Sequence, residues 1–223
     1  MQLLRFIIGL VCFLASLTVA GETVASKDGN IYFRPGSSGN LSRLTETGLD
    51  SDPNLSPDGS LVVFVRSTPG KVVESPTGDS VEETELWTVR TDGTQPRLVL
   101  RGGVEKGSND VPVASFSSPQ FSPDGTQVYF LSIAAVTSGA VDACNIKTGK
   151  LKEVCGANSL LVVRKGHFAG DLVVEQHRYF VGGGSYDWVY VVTPDGKEIG
   201  PLGDRDDPGF ELRLKEVLGG DGK

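Results

Sequence analysis

The chain is poor in the residues that build metal and acid–base centres. Two His residues, His167 and His177, three Cys and a single Met occur among 223 residues. Two imidazoles with no Cys pair beside them do not make a zinc spacing, so no metal and no cofactor is expected. Basic residues are outnumbered, 21 Lys and Arg against 28 Asp and Glu, for a net charge of -7. A protein that tracks nucleic-acid phosphates needs a basic face, so nucleic acid is excluded as a partner class. No Gly-x-Ser-x-Gly nucleophile elbow is present, and Arg34-Pro35-Gly36-Ser37-Ser38-Gly39 lacks its spacing. Gly182-Gly183-Gly184-Ser185 is not followed by the Gly-Lys-Ser/Thr of a phosphate loop and reads as a β-turn. No catalytic residue is assigned, and the chain is expected not to be an enzyme.

Long apolar runs are missing too, except at the start. Residues 1–20 place Arg5 before an uncharged run from Phe6 to Val19, followed by small residues. That order is a secretory signal, with cleavage after Ala20 or Ala25, and the run is shorter than the ~20 residues a spanning helix needs. Cys12 lies inside the run and follows Val11, which argues against a lipid-attachment site. The mature chain is therefore expected to be periplasmic or secreted, with no transmembrane segment. Its two remaining thiols, Cys144 and Cys155, flank a Thr148-Gly149 turn. In a short hairpin they would face one another, and a disulfide is expected in an oxidising compartment. Two reduced, buried thiols are the alternative.

What the chain has in excess is turn formers, 29 Gly and 12 Pro, together about 18% of residues where about 12% is usual. Many belong to a repeat. Residues 53–64, Pro-Asn-Leu-Ser-Pro-Asp-Gly-Ser-Leu-Val-Val-Phe, return at 119–130 as Pro-Gln-Phe-Ser-Pro-Asp-Gly-Thr-Gln-Val-Tyr-Phe, with seven of twelve positions identical. The turns Ser56-Pro57-Asp58-Gly59 and Ser122-Pro123-Asp124-Gly125 put Pro where its fixed φ fits and Gly where φ is positive. Each leads into apolar β-formers, Leu61–Val65 and Val128–Leu131, as in a strand covered on both faces. Two further strands follow in each copy, around Thr91-Asp92-Gly93 and Lys147-Thr148-Gly149. A third, decayed copy runs from Leu160 to Pro194-Asp195-Gly196. Four strands per unit is the content of a propeller blade.

The expected fold is therefore all-β, a small β-propeller of about four four-stranded blades over residues 26–218, with a flexible tail at 219–223. Asn30–Phe33 and Ser42–Thr45 supply half a blade. Phe210–Leu214 alternates like a strand that would join them and close the ring; an open or incomplete propeller is the alternative. Residues 69–84 and 101–114 are polar inserts expected as surface loops.

The motif Asp52-Pro53-x-x-Ser56-Pro57-Asp58-Gly59 with Val62-x-Phe64, and its second copy from Pro119 to Phe130, resembles the WD-like repeat of the TolB family. The resemblance implies an exported protein-interaction platform whose partner is a protein or peptide of the cell envelope. The chain is too short for the six-bladed ring typical of TolB and lacks its separate α/β domain, and no partner-binding residue carries over. A carbohydrate-binding propeller or a small exported propeller enzyme is the alternative. A sugar site would want exposed aromatics beside a carboxylate, and Tyr186-Asp187-Trp188 is the group that fits, although it reads as the start of a core strand. Carboxylates at the chain's approach to each innermost strand, Asp50, Asp52, Asp110, Asp204, Asp206 and Asp207, are the expected partner-binding residues, forming a negative funnel at one channel mouth. Solvated loop carboxylates are the plainer reading. Oligomeric state is left open.

Overall fold

The computed structural model describes residues 21–74, 80–103, 113–135 and 138–219. The expected signal segment 1–20, Asp110 and residues 220–223 of the expected tail lie outside the described residues.

Among the described residues, fifteen strands form four antiparallel meanders in chain order. Sheet 1 holds β1 (Thr23–Lys27), β2 (Asn30–Arg34) and β3 (Ser42–Arg43). Sheet 2 holds β4 (Asp50–Leu55), β5 (Leu61–Glu74), β6 (Ser80–Arg90) and β7 (Arg97–Arg101). Sheet 3 holds β8 (Ser117–Phe121), β9 (Gln127–Ala135), β10 (Ser138–Asn145) and β11 (Leu151–Gly156). Sheet 4 holds β12 (Ser159–Val162), β13 (Leu172–Tyr179), β14 (Ser185–Val192) and β15 (Glu198–Gly203), and α1 (Phe210–Val217) follows it. The first strands of successive sheets, β1, β4, β8 and β12, neighbour one another along the inside of the stack.

Packing between sheets explains the apolar runs. Val62 and Phe64 meet Ile31 and Phe33 of sheet 1, while Val63 and Val65, on the opposite face of β5, meet Phe121, Val128 and Phe130 of sheet 3. Tyr129 and Val141 then pack on Leu172, Val174 and Tyr190 of sheet 4. A strand sandwiched between two sheets must be apolar on both sides, which a period-2 pattern cannot deliver.

Both copies of the Ser-Pro-Asp-Gly turn take the expected form. The Gly59 and Gly125 amides donate to the Ser56 and Ser122 carbonyls at 2.9 Å, and both glycines have positive φ, 71° and 69°. Ser56 Oγ donates to Asp58 Oδ1 at 2.6 Å and accepts the Leu61 amide at 2.9 Å; Ser122, Asp124 and Gln127 repeat the arrangement. These hydroxyl and amide donors hold the Asp58 and Asp124 carboxyls below the ordinary carboxylate range. The turn residues are thus structural: they fix the hairpins that start sheets 2 and 3.

Five expectations are corrected. The C-terminal Phe210–Leu214 is the start of helix α1, not a ring-closing strand, and the arc of sheets is open. Its apolar residues fit both periods over five positions. The deciding residue is Val217: Phe210, Leu214 and Val217 share one helical face and pack on Val173, Val189 and Val191 of sheet 4, while Leu212 points to solvent. Glu211 in the first turn and Lys215 in the last suit the helix dipole. The helix thus covers the face that a further blade would cover. Sheet 1 also begins earlier than residue 26, because Thr23, Val24 and Ala25 pair with Arg34, Phe33 and Tyr32.

The insert at 69–84 is largely strand. Val72, Val73 and Glu74 pair with Glu82, Val81 and Ser80 beyond a bulge that follows Ser67, so β5 and β6 run outward as a two-stranded arm. Of the second insert, Val113 and Ala114 are buried rather than exposed, and residues 104–112 are outside the described residues.

Cys144 and Cys155 are free. Cys144 pairs with Leu151 and Cys155 with Val141, separated by a bulge between Val141 and Asp142. Cys144 packs toward sheet 2 and Cys155 toward sheet 4, on opposite faces of sheet 3, so the side chains diverge. Burial pushes both thiols up to about 11. A folded chain of residues 21–223 is therefore expected to react slowly with iodoacetamide at pH 8. In urea, without reductant, it should take up two labels. A chain that stays unlabelled in urea until a reductant is added would restore the disulfide.

Candidate functional site: the projecting hairpin of the fourth sheet

The carboxylates expected to form a funnel are mostly engaged. Asp50 is buried and accepts both Nε and Nη2 of Arg66, at 2.6 and 3.0 Å. Asp52 sits in left-handed backbone at the bulge of β4, and its Oδ2 accepts the amide of Ser118, the residue at the same place in the next repeat. Asp207 lies 3.6 Å from Arg213, Asp204 Oδ1 accepts the Asp206 amide at 2.9 Å, and Arg205 between them pairs with Glu175. Among the described residues no three His, Cys, Asp or Glu side chains form a group that could hold a metal ion.

Beside the Asp52–Ser118 contact, successive inner strands are joined by a pair of amides that carried no expectation. Asn54 Oδ1 accepts the Phe121 amide at 3.3 Å, linking sheet 2 to sheet 3. Gln120, its counterpart in the second repeat, links sheet 3 to sheet 4 by donating to Leu160 O at 2.8 Å and accepting the Val162 amide at 3.0 Å. The signal was present in the alignment of the repeats: an amide side chain follows Pro53 and again Pro119.

A more accessible cluster lies on sheet 4. β12 pairs with β13 over Leu172–Glu175, and β15 pairs with β14 over Val189–Val192. Gln176–Tyr179 and Ser185–Trp188 pair with each other and extend past both neighbours, so this half of the hairpin projects from the sheet. Tyr179, Phe180, Val181 and Trp188 are exposed on it. On one face His177 Nδ1 is 2.8 Å from Asp187 Oδ1, and the imidazole meets the Tyr179 ring edge-on at 5.0 Å between centroids. Elsewhere on the hairpin Tyr186 meets Trp188 at 5.2 Å and Phe180 at 4.6 Å. Arg178 lies over the Tyr190 ring at 3.9 Å and pairs with Glu198. At the hairpin's base an open groove of about 250 Å³ is lined by Gly156, Ala157, Asn158, Gln176, His177 and Arg178.

Trp188 therefore does not begin a core strand as expected; the core part of β14 starts at Val189. The other imidazole, His167, is exposed in the β12–β13 connection, edge-on to Phe168, and does not join His177. No helix among the described residues is long and apolar enough to cross a membrane.

No family model matches the sequence, and no curated protein does. Solved structures do match. The β-propeller domain of the trilobed protease from Pyrococcus furiosus, whose topology is an open velcro, is 13% identical with a TM-score of 0.50, over 80% of this chain and 52% of that one. Oligogalacturonate lyase from Vibrio parahaemolyticus is 17% identical with a TM-score of 0.52, over 80% and 44%. TolB from Acinetobacter baumannii is 15% identical over 79% and 49%, with a TM-score of 0.38, too low to argue from. The chain spans about half or less of the length of these structures. Together with the four meanders, the likeness defines the class: a β-propeller in open form.

Proposed function

We propose that the chain is an exported, non-enzymatic binding module of the cell envelope, TolB-like in its repeats, that engages a protein or peptide partner through the projecting hairpin of sheet 4. The observation that carries this reading is the exposure of Tyr179, Phe180 and Val181 on a ribbon extending past its neighbouring strands. Aromatic side chains held rigidly in water are the usual anchors of protein interfaces. Export rests on the order of charge and apolarity in residues 1–20. Pairing of Thr23–Ala25 within β1 favours cleavage after Ala20, since cleavage after Ala25 would remove three of that strand's five residues.

A second reading, carbohydrate binding, is favoured by one specific arrangement: exposed Trp188 beside exposed Asp187. One experiment separates the two. The chain is expressed with its leader, and exported material is expected to begin at Gly21. That material is then screened on a peptide library and a glycan array. The expected result is a peptide ligand whose binding weakens about tenfold or more in the Tyr179→Ser, Phe180→Ser, Val181→Ser variant. Retention of a defined glycan and no peptide, with loss on Trp188→Ala alone, replaces the first reading by the second.

A further inference from the structure

Among the described residues sheet 1 has three strands where each of the others has four, and the strand it lacks is the innermost. The polarity of β1 shows this. Inner strands β4 and β8 run parallel, since Asp52 meets Ser118 and Asn54 meets Phe121. β1 runs against β4. The turn that ends β1 lies at the start of β4, where the Asp50 amide donates to Gly29 O at 2.8 Å, and Glu22, just before β1, lies against Gly59, past the end of β4. The core agrees: Ile31 and Leu44 pack with Leu55 of sheet 2 as Leu86 and Leu100 pack with Phe121 of sheet 3. β1, β2 and β3 thus correspond to β5, β6 and β7. Asp28 and Gly29, with φ of 51° and 68°, close β1 onto β2 as a two-residue turn. Thr23, Ala25 and Lys27 therefore exchange bonds with β2, while the N–H and C=O groups of Val24 and Ser26 point to the opposite edge. Their counterparts, Val63 and Val65, pair there with Asn54 and Ser51 of β4.

From this correspondence we infer that the inner edge of β1 is a docking site for one extended segment of a partner protein, laid antiparallel to β1 and parallel to β4. Strand addition of this kind takes its affinity from main-chain bonds and its specificity from alternate side chains. The repeats specify the side chain. The residue opposite Val63 is Asn54 and the residue opposite Tyr129 is Gln120, each followed by an apolar residue. Gln120 reaches Leu160 O and the Val162 amide of the next inner strand. The groups at the same places in sheet 2 are Pro53 O and the Leu55 amide. The partner segment therefore carries Asn or Gln opposite Val24, directed at those two groups, and an apolar residue after it. The chain's own upstream residues do not fit: Leu14-Ala15-Ser16-Leu17 stand before Val24 as Pro53-Asn54-Leu55-Ser56 stand before Val63, with no amide and no Ser-Pro-Asp-Gly turn. In a second copy the matching segments are already built into sheets 2 and 3. The site needs the leader to be removed but is independent of the hairpin of sheet 4.

The test uses the chain of residues 21–223, which holds every strand described, with the full-length chain beside it. The probe is the blocked peptide acetyl-Ser-Ser-Pro-Gln-Phe-Ser-amide, the sequence of residues 117–122. By NMR, saturable shifts and slowed hydrogen exchange are expected at the Val24 and Ser26 amides. N-methylation of the peptide's Gln removes the N–H aimed at Val24 and is expected to weaken binding about tenfold or more. N-methylation of its Phe should leave binding within about twofold, because the corresponding Phe121 N–H faces away from its own sheet, toward Asn54. Gln→Leu in the peptide should cost about fivefold through the lost side-chain amide. The Tyr179→Ser, Phe180→Ser, Val181→Ser variant should bind the probe as the parent does. No response at Val24 and Ser26, undiminished binding of the peptide methylated at Gln, or loss of binding in the hairpin variant would each overturn the assignment. Protection of Val24 and Ser26 in the full-length chain without peptide would overturn it too, by giving the edge to residues 1–20.

Discussion

Replacing Asp50 with Ala is expected to lower the unfolding free energy of the folded chain by about 3–5 kcal/mol. Asp50 is 1% exposed and holds Arg66 through two hydrogen bonds. The Arg66 guanidinium lies 4.4 Å from the Trp87 ring centroid and 5.4 Å from that of Phe64, a position it would keep after truncation of its partner. The cost is that of an uncompensated charge against two aromatic rings, moderated because the Arg66 side chain is 17% exposed. Urea denaturation measures it. An apolar pair of similar volume, Asp50→Leu with Arg66→Met, should recover most of the loss, because neither charge then has to be desolvated. If the single variant loses less than about 1 kcal/mol, the pair is not the structural lock described here.

Phe130→Ala is expected to cost a similar ~3–5 kcal/mol for a different reason. Phe130 is wholly buried between sheets 2 and 3 and meets Phe116 edge-on, with centroids 4.9 Å apart. Truncation removes the buried ring, leaves a cavity, and deprives Phe116 of its partner. Phe116 belongs to the short segment that re-enters the core before β8, and the Gly103 amide donates to Val113 in the same segment. Hydrogen exchange should therefore show faster exchange at Gly103 and Phe116 in the variant, alongside the lowered denaturation midpoint. Global destabilisation with unchanged local protection would mean that the ring does not anchor this segment. Either variant would consume a large part of the 5–15 kcal/mol typical of a folded domain.

The fold was legible where local chemistry and long-range packing ask for the same residues. Ser-Pro-Asp-Gly specifies a turn by itself, and two-faced burial of the next strand demands unbroken apolar residues, so residues 53–64 and 119–130 announced both hairpin and sandwich. Legibility failed where only one demand acted. Thr23–Lys27 is a largely exposed strand with little to bury, so nothing marked it. The outer part of the β5–β6 arm has no buried face and read as loop. Phe210–Leu214 is too short to distinguish period 2 from period 3.6, and its partner surface on sheet 4 is visible only in three dimensions. The Cys144–Cys155 spacing suits a hairpin with a longer loop, but the turn closes with Leu151 opposite Cys144, which leaves Cys155 further along the strand, and the bulge between Val141 and Asp142 turns it to the other face.

The two ends of the arc are unlike, and that bears on growth. The outward face of sheet 1 carries Lys27, Arg34 and Arg43, on the side of the sheet opposite Ile31 and Phe33. The outward face of sheet 4 lies beneath α1. Stacked sheets with bare, complementary ends would add copies head to tail without limit, as any non-closing contact between identical chains does. Here a positively charged surface meets a helix, and neither continues the sandwich of its neighbour. Removing the apolar face of α1 would bare Val173, Val189 and Val191 on the outward face of sheet 4, giving the arc one apolar end and one charged end.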